Sequence, residues 1–381
     1  MDKLYPVFTL KNECHDCYKC VRECIIKAIK IQDGSASVID NKCIACGHCV
    51  TVCPSNAKRI RYDIDKVKAL LLTGKKVIVS LAPSWAGIYN ISQAKMVAIL
   101  KKLGFFAVSE TALGAEEVSI KLSNWLKKQK KGVHISSACP VVVDYIRKYK
   151  SDFAKNITPF ASPALTHAKL LKKLYGDDVA VVFIGPCIAK KNEADKHPEL
   201  IDYSLTFEEL NRWLSKDLVR FEEVKVTAED KFVPEEAKEG ALYPIEGGMN
   251  QTVELSKEVD DVLFMSLSGL KPLDNALNGL NVEKINKKIF IEALSCDTGC
   301  LNGPAKGSKA SGVSMTAELL SKIKFREQIP LEPRVVVEEN YKPEPVVATN
   351  YSPDEIACAM KRIGKQSEED ELNCGGCGYA T

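Results

Sequence analysis

Three stretches far apart in the chain each run like the end of a β-strand into a cysteine. They are Val133–Pro140 with Cys139, Val181–Cys187, and Ile289–Cys296, the last followed four residues later by Cys300. Thiolates are soft donors suited to iron and zinc. Four of them delivered to one edge of a sheet can hold a metal cluster that no local stretch of chain could build. A second set is local and duplicated: Cys14-x2-Cys17-x2-Cys20-x3-Cys24, then Cys43-x2-Cys46-x2-Cys49-x3-Cys53-Pro54. This spacing suits two [4Fe-4S] cubes, three close thiols wrapping three corners while the fourth of each run ligates the other cube. Cluster one then takes Cys14, Cys17, Cys20 and Cys53; cluster two takes Cys43, Cys46, Cys49 and Cys24. Structural zinc is the alternative for clustered cysteines, and the duplication with its x3 fourth spacing disfavours it. Two adjacent cubes make an electron wire, since they bind no substrate and change charge with little rearrangement. A wire needs a destination, and the four dispersed thiols are the candidate.

The bulk composition fits this chemistry. At 381 residues, 45% hydrophobic and 27% charged, the chain can bury two or more cores. It has no run of about 18 apolar residues that would span a membrane, and Met1-Asp2-Lys3 leads into cysteines instead of an apolar signal segment. A cytoplasmic protein is expected. Fifteen cysteines are too clustered for a disulfide framework, and a reducing compartment disfavours one. The formal charge of +3 counts thiols as neutral. Three cubes with four thiolates each add about −2 apiece when oxidised, leaving roughly −3. The apparent basicity is therefore no argument for nucleic acid.

Several elements must position these residues. In the N-terminal region, Ala28-Ile29-Lys30-Ile31 and Ala57-Lys58-Arg59-Ile60 repeat a helix exit into a strand. Past Asp63 the pattern alternates: a strand over 75–81 ending in Ala82-Pro83-Ser84, a helix over 92–103, a helix over 113–131, and a strand over 133–137. Helices over 141–149, 164–175 and 206–216 follow, with strands over 179–184, Phe221–Thr227, Val259–Leu267 and Lys288–Leu294. Ser311–Leu320 leads into a helix, with Gly312 before its first turn. Alternation of this kind predicts an α/β region of two lobes with mainly parallel sheets, behind an α+β two-cluster domain. Ligands of such sheets sit beyond the carboxyl ends of the strands, where Cys139, Cys187 and Cys296 fall.

Residues 5–62 resemble bacterial two-cluster ferredoxin domains, and residues 70–330 resemble the catalytic domain of [FeFe]-hydrogenases. The first signature of that family, Thr-Ser-Cys-Cys-Pro, is matched by Ser136-Ser137-Ala138-Cys139-Pro140. The second, Met-Pro-Cys-x-x-Lys-Lys-x-Glu, is matched by Gly185-Pro186-Cys187-Ile188-Ala189-Lys190-Lys191-Asn192-Glu193. The third, Glu-x-Met-x-Cys-x3-Cys-x2-Gly, is matched by Glu292–Gly303 with Cys296 and Cys300. Ala82-Pro83-Ser84, Ser162-Pro163 and Gly247-Gly248 are similar to family loops.

The resemblance implies an H-cluster: a [4Fe-4S] cube on Cys139, Cys187, Cys296 and Cys300, bridged by Cys300 to a di-iron unit carrying CO, CN and dithiolate ligands. Dedicated maturases install that unit. Lys190 then holds one cyanide, while Pro83, Ser84, Pro186 and Ser162 cradle the ligands. Glu193 either pairs with Lys190 or caps a surface helix; the bland alternative for Lys190 and Lys191 is a solvated pair. His134 and His167 read as satisfied or exposed histidines.

The departures matter as much. Ala138 replaces the cysteine that shuttles a proton in typical members, so general acid–base transfer must use another route. Lys121 and Leu122 occupy the places of proton-channel glutamates, unless Glu116 or Glu117 serves in a shifted register. Gly185 and Leu294 replace two methionines. Together these resemble the sensory branch of the family. The expected function is slow, reversible H2 ⇌ 2H+ + 2e− serving H2 or redox sensing, with a redox partner or a signalling kinase or phosphatase module downstream. The alternative is a hydrogenase-related iron–sulfur scaffold or electron-transfer protein without the di-iron unit.

The domain division expected is 1–65, 66–330, a proline-rich arm or linker over 331–350, and 351–381 as the start of a truncated iron–sulfur domain. Ser352-Pro353-Asp354-Glu355 caps a helix there. Asn373-Cys374-Gly375-Gly376-Cys377-Gly378 resembles an iron–sulfur motif lacking its next cysteine, so no intact cluster is expected at that end. Cys358 is either a distant ligand or apolar filler on the helix.

Overall fold

The computed structural model describes residues 4–255, 259–347 and 351–370. Cys374 and Cys377 lie outside them. The first sixty residues fold into two small antiparallel pairs. Strand β1 (Val7–Thr9) pairs with β4 (Lys58–Ile60), and β2 (Ile29–Gln32) pairs with β3 (Ser35–Val38). Between them lie the short helices Lys19–Glu23 and His48–Thr51, each entered through a left-handed residue, Tyr18 and Gly47.

Two parallel sheets follow, as the alternating pattern predicts. One has the order β6-β5-β8-β9, with β5 Val77–Leu81, β6 Ala107–Glu110, β8 Ala180–Gly185 and β9 Tyr203–Thr206. The other has the order β10-β11-β7, with β7 Gly132–Ile135, β10 Val262–Ser268 and β11 Lys288–Leu294. Every pairing in both is parallel. Strands β5 and β8 are buried along their whole length, which is why both read as mostly apolar runs, β5 interrupted only by the buried Ser80, instead of alternating ones. The largest core packs both faces of the first sheet, from Val77 and Met96 to Phe207 and Trp213. A separate core under the second sheet joins Val133, Val142 and Ile291 to Ile44 of the N-terminal domain.

Some expectations need correction. Residues 221–227 are turns and irregular chain, not a strand. Phe221 is half-buried beside Tyr89 and Val224 is buried in the core, an i, i+3 pair with exposed residues between and after them, so the segment has no period-2 face. Strand β10 starts at Val262, three residues later than expected, and Gly312 is the first residue of the helix Gly312–Lys322, whose cap is the Ser311 hydroxyl. Residues 335–346 form a packed arm: Ala161 N–H donates to Val337 O at 2.9 Å, Glu339 N–H to Pro159 O at 3.1 Å, and Tyr341 O–H to Phe160 O at 2.9 Å. The helix Pro353–Arg362 carries the expected capping box between Ser352 and Glu355, but it buries none of its residues. Cys358 is exposed, so the apolar-filler reading fails for want of anything to pack against.

Candidate metal centre and its cavity

In the N-terminal domain the crossing of the fourth thiols is visible in space. One pocket is lined by Cys14, Cys17, Cys20 and Cys53. Cys20, raised by burial, feels the charges of Cys53, Cys14 and Cys17. Cys46 is pushed up to about 12 by burial and by Cys43 and Cys24, and Cys49 is raised by burial and by Cys46, Cys43 and Cys24. The chain thus brings Cys53 to the first run and Cys24 to the second. Backbone N–H groups point at the sulfurs: Ala28 at Cys24 (3.3 Å), Ala36 at Cys14 (3.5 Å) and Ala45 at Cys43 (3.3 Å). Such donors stabilise thiolate over thiol.

The second run faces the rest of the molecule. A Cβ on Gly47 would lie 2.5 Å from Ile188 Cδ1 and 2.7 Å from Pro304 Cγ. The loop Cys46–Cys49 is therefore pressed against the residue that follows Cys187. An ionic network fastens the contact. Lys191 is fully buried, with Nζ 3.1 Å from Asp63 Oδ2, 2.9 Å from Glu209 Oε2 and 2.7 Å from Ser204 O. Arg61 adds Asp63 and Asp195. Burial would raise Asp63, but Lys191, Lys66 and Arg61 together hold its carboxyl down at about 2.

Beyond this contact lies an apolar cavity of about 110 Å³. It collects residues from the carboxyl ends of both sheets: Pro83 and Ser84 after β5, Thr111 after β6, Ala138 and Cys139 after β7, Pro186 and Cys187 after β8, and Cys296 after β11. Cys300 completes the set. The Cys296–Cys300 turn needs glycine at 299, because φ there is +102° and a Cβ would lie 2.3 Å from the Pro244 carbonyl oxygen. All four thiols interact. Cys187 is pushed up to about 11 by burial, with Cys139 adding and Lys190 subtracting. Burial also raises Cys296, with Cys300, Cys187 and Cys139 adding, and raises Cys300, with Cys139 and Cys187 adding and Lys190 subtracting. Cys187, Cys296 and Cys300, all raised by burial and by neighbouring sulfurs, become thiolates only against a large positive charge, which a metal cluster would supply. Among the described residues no three Cys, His, Asp or Glu side chains are gathered as around a single metal ion.

Lys190 is buried at the cavity wall and is not part of a solvated pair. Its ammonium donates to Ser162 Oγ at 2.8 Å and Glu193 Oε2 at 2.5 Å, leaving one proton for the cavity. Ser162 and Glu193 themselves stand outside the lining. Ser162 also caps the helix Pro163–Tyr175, and Glu193 faces a polar hollow with Asp144 and Arg147. Of the two readings of Glu193, pairing is the one seen. The Ser84 hydroxyl is buried without a partner among the described residues and lines the cavity. An orphaned hydroxyl and an ammonium with a spare proton, beside four thiols, fit an anionic cluster with small acceptor ligands.

No titratable hydrogen stands at Ala138. Glu116 is engaged by Arg326 and the Lys238 N–H, and Glu117 by Arg334; neither lines the cavity. Lys121 borders a groove under the arm and Leu122 sits in apolar core. His167 is satisfied, its ring nitrogens 2.8 Å from Ser80 Oγ and Ser109 Oγ, and His134 is half-buried against Trp125. Phe183, Thr111, Tyr243 and Pro244 also line the cavity and were not singled out from sequence. Phe183 carried the only available signal. It precedes Gly185 by two positions on β8, and a Cβ on Gly185 would meet its ring at 2.7 Å, so the ring fills space near the strand end.

A profile for the C-terminal domain of the iron-only hydrogenase large subunit matches residues 75–304. The chain belongs to this family. A profile for the 4Fe-4S dicluster domain matches residues 7–66. Iron hydrogenase 1 of Clostridium pasteurianum is 24% identical over 307 residues, covering 66% of this chain and 53% of that protein. The nuclear prelamin A recognition factor of Xenopus laevis is 22% identical over 370 residues, covering 76% of this chain and 81% of that one. In fold the chain is similar to an [FeFe]-hydrogenase from Chlamydomonas reinhardtii, with TM-score 0.58 and 16% identity, over 75% of this chain and all of that one. The chain spans about half the length of the curated hydrogenases it matches. Among the described residues no helix is long and apolar enough to cross a membrane.

Proposed function

We propose that this iron-only hydrogenase homologue carries out slow, reversible H2 ⇌ 2H+ + 2e− in the cytoplasm and reports H2 or redox state to a partner module. The observation that carries the reading is the convergence of Cys139, Cys187, Cys296 and Cys300 on one apolar cavity beside Lys190 and Ser84. Cys139, Cys187, Cys296 and Cys300 would hold a cube, and the same cavity would take a di-iron unit with CO, CN and dithiolate ligands installed by maturases. When bound, that unit supplies the metal at which H2 is polarised. The protein does the rest. Lys190, oriented by Ser162 and Glu193, presents its spare proton to an anionic ligand. Ser84 donates its hydroxyl, Pro83 and Pro186 close the walls, and the apolar lining excludes bulk water.

Electrons would leave through cluster two, whose Cys46–Cys49 loop lies against Ile188, and then through cluster one. The methyl of Ala138 slows proton delivery without disturbing the metal ligands, which favours sensing over bulk turnover. The functional division runs 1–65 for the wire, 66–330 for the site, and an arm over 331–350 leading to 351–381.

The test is an iron count with an infrared spectrum after loading with the mature di-iron cofactor. Carbonyl and cyanide bands are expected. A loaded cube with no such bands establishes the second reading, an iron–sulfur scaffold or electron-transfer protein. The likeness to the Xenopus factor, which extends over most of both chains under a name that mentions no hydrogenase, favours keeping that reading in view.

A further inference from the structure

The duplication in the N-terminal domain breaks at one informative place. Ala28-Ile29-Lys30-Ile31 and Ala57-Lys58-Arg59-Ile60 are equivalent, so Lys58 stands where the first repeat has Ile29. Both side chains are buried, Ile29 at 4% exposure and Lys58 at 2%. An isoleucine there packs beside Cys20 in a small apolar cluster. A lysine at the equivalent position is costly, because taking an ammonium out of water costs several kcal/mol unless an opposite charge stands near.

No carboxylate supplies it. Among the described residues the Lys58 ammonium has two partners, Thr9 Oγ1 at 2.6 Å and Ala36 O at 3.2 Å, both neutral. What surrounds it instead is sulfur. Lys58 lines the pocket of Cys14, Cys17, Cys20 and Cys53, and its backbone N–H bonds Cys53. Its charge also lowers Cys20 of the first thiol set and Cys49 of the second, against the burial that raises both. The ammonium therefore lies close to both sets, toward the first.

We propose that Lys58 is a fixed counter-charge for the two N-terminal cubes, raising their reduction potentials above those the same cysteines would give around an apolar residue. Each cube takes up one electron and becomes more negative by one charge, with no bond made or broken. A positive charge held in low dielectric favours the reduced form, more for cluster one than for cluster two. The proposal rests on the reading of the two thiol sets as cubes, and it adds a direction to the wire. The ammonium pulls electrons that arrive at cluster two from the site toward cluster one, where Cys17 is exposed.

The experiment is an EPR-monitored potentiometric titration of the iron-loaded full chain with Lys58→Gln, which keeps a donor toward Thr9 and Ala36 but removes the charge. At fixed potential the reduced-to-oxidised ratio of cluster one should fall at least tenfold, about 59 mV for a one-electron couple. Cluster two should fall less. Lys58→Arg, which retains the charge, should stay within threefold of wild type and guards against a Gln variant that fails to load. A Gln variant that keeps its iron with a ratio within threefold of wild type overturns the proposal, as does an Arg variant displaced as far as the Gln one. Failure of the cube reading looks different: the wild-type chain would show no cubane EPR signals from this domain.

Discussion

Replacing Lys191 with methionine would test how the N-terminal domain is fastened to the site. The Lys191 ammonium is fully buried and reaches Asp63, Glu209 and the Ser204 carbonyl. Removing one partner of a buried ionic group costs about 3–5 kcal/mol, since the charges left behind stay desolvated. Here the cost should sit at the low end. Asp63 keeps Arg61 and Lys66, and Glu209 keeps the N–H groups of Thr206 and Asp63 together with the Thr206 hydroxyl. About 3 kcal/mol is expected in urea unfolding of the iron-loaded protein, followed by tryptophan fluorescence. The pH dependence gives a second reading. Asp63 is held at about 2 in the folded chain against 3.8 for the free residue, so its contribution is complete above pH ~4 and is lost as pH falls toward 2. In the variant Asp63 should rise toward its ordinary value, moving acid unfolding to higher pH. A variant within 1 kcal/mol of wild type, with an unmoved acid limb, would show that the network does not hold the two parts together.

Ala138→Cys should raise H2 turnover of the fully loaded protein at unchanged iron content; equal turnover would place the slow step elsewhere. Gly47→Ala would force a Cβ at positive φ into Ile188 and Pro304, so we expect a loss of about 1–3 kcal/mol in the same unfolding assay, and no loss would mean the loop can move aside. Glu110 is pushed up to about 7, chiefly by burial and against the donors Ala237 N–H and Trp85 Nε1–H. An acid raised above its unfolded value of 4.5 exerts no penalty below that pH. It costs stability progressively as pH rises to 7, by about 3 kcal/mol in all. Glu110→Gln should therefore remove its share of the stability loss as pH rises from 5 to 7 and make the slope less negative there; an unchanged slope would refute the assignment.

The candidate metal ligands were the easiest residues to single out, because clustered cysteines at x2 and x3 spacing have few uses and strand-end cysteines few neighbours. The two-lobed parallel architecture was legible for a related reason: β5 and β8 are buried on both faces and so read as mainly apolar, non-alternating runs. Segments whose anchors fall off the strand period were not. Phe221–Thr227 has strand-like composition, but only an alternating pair of faces would have made it one. The cavity wall was half legible. Pro83, Ser84, Pro186 and Lys190 sit in motifs, whereas Tyr243 and Pro244 arrive through a loop whose path is set by a backbone contact with Gly299. Nor could spacing reveal that Lys191 is buried, since a Lys-Lys pair on a helix is ordinarily solvated and only Asp63, 128 residues away, and Glu209 make its burial tolerable.

The buried lysines of this chain sort by what neutralises them, and the sorting locates its hidden charge. Lys191 has two carboxylates and is balanced by protein alone, so its role is to hold elements together. Lys190 has Glu193 and a hydroxyl, with one proton left over that faces the cavity. Lys58 has two neutral oxygens and no carboxylate among the described residues. In a low-dielectric interior an uncompensated ammonium is tolerable only next to negative charge. Both incompletely balanced lysines lie beside thiol sets, the first set for Lys58 and Cys187 for Lys190. Thiols alone answer the need poorly: burial raises Cys20 beside Lys58 and Cys187 beside Lys190 and favours their neutral form, and only Cys53 is lowered, against burial, by its backbone and Ser55 donors. Iron–sulfur cubes answer it, since four thiolates outweigh the core they enclose. The charge pattern therefore reaches the cysteine pattern's conclusion by a separate route, one that a cluster-free protein of the same fold would have no physical reason to carry.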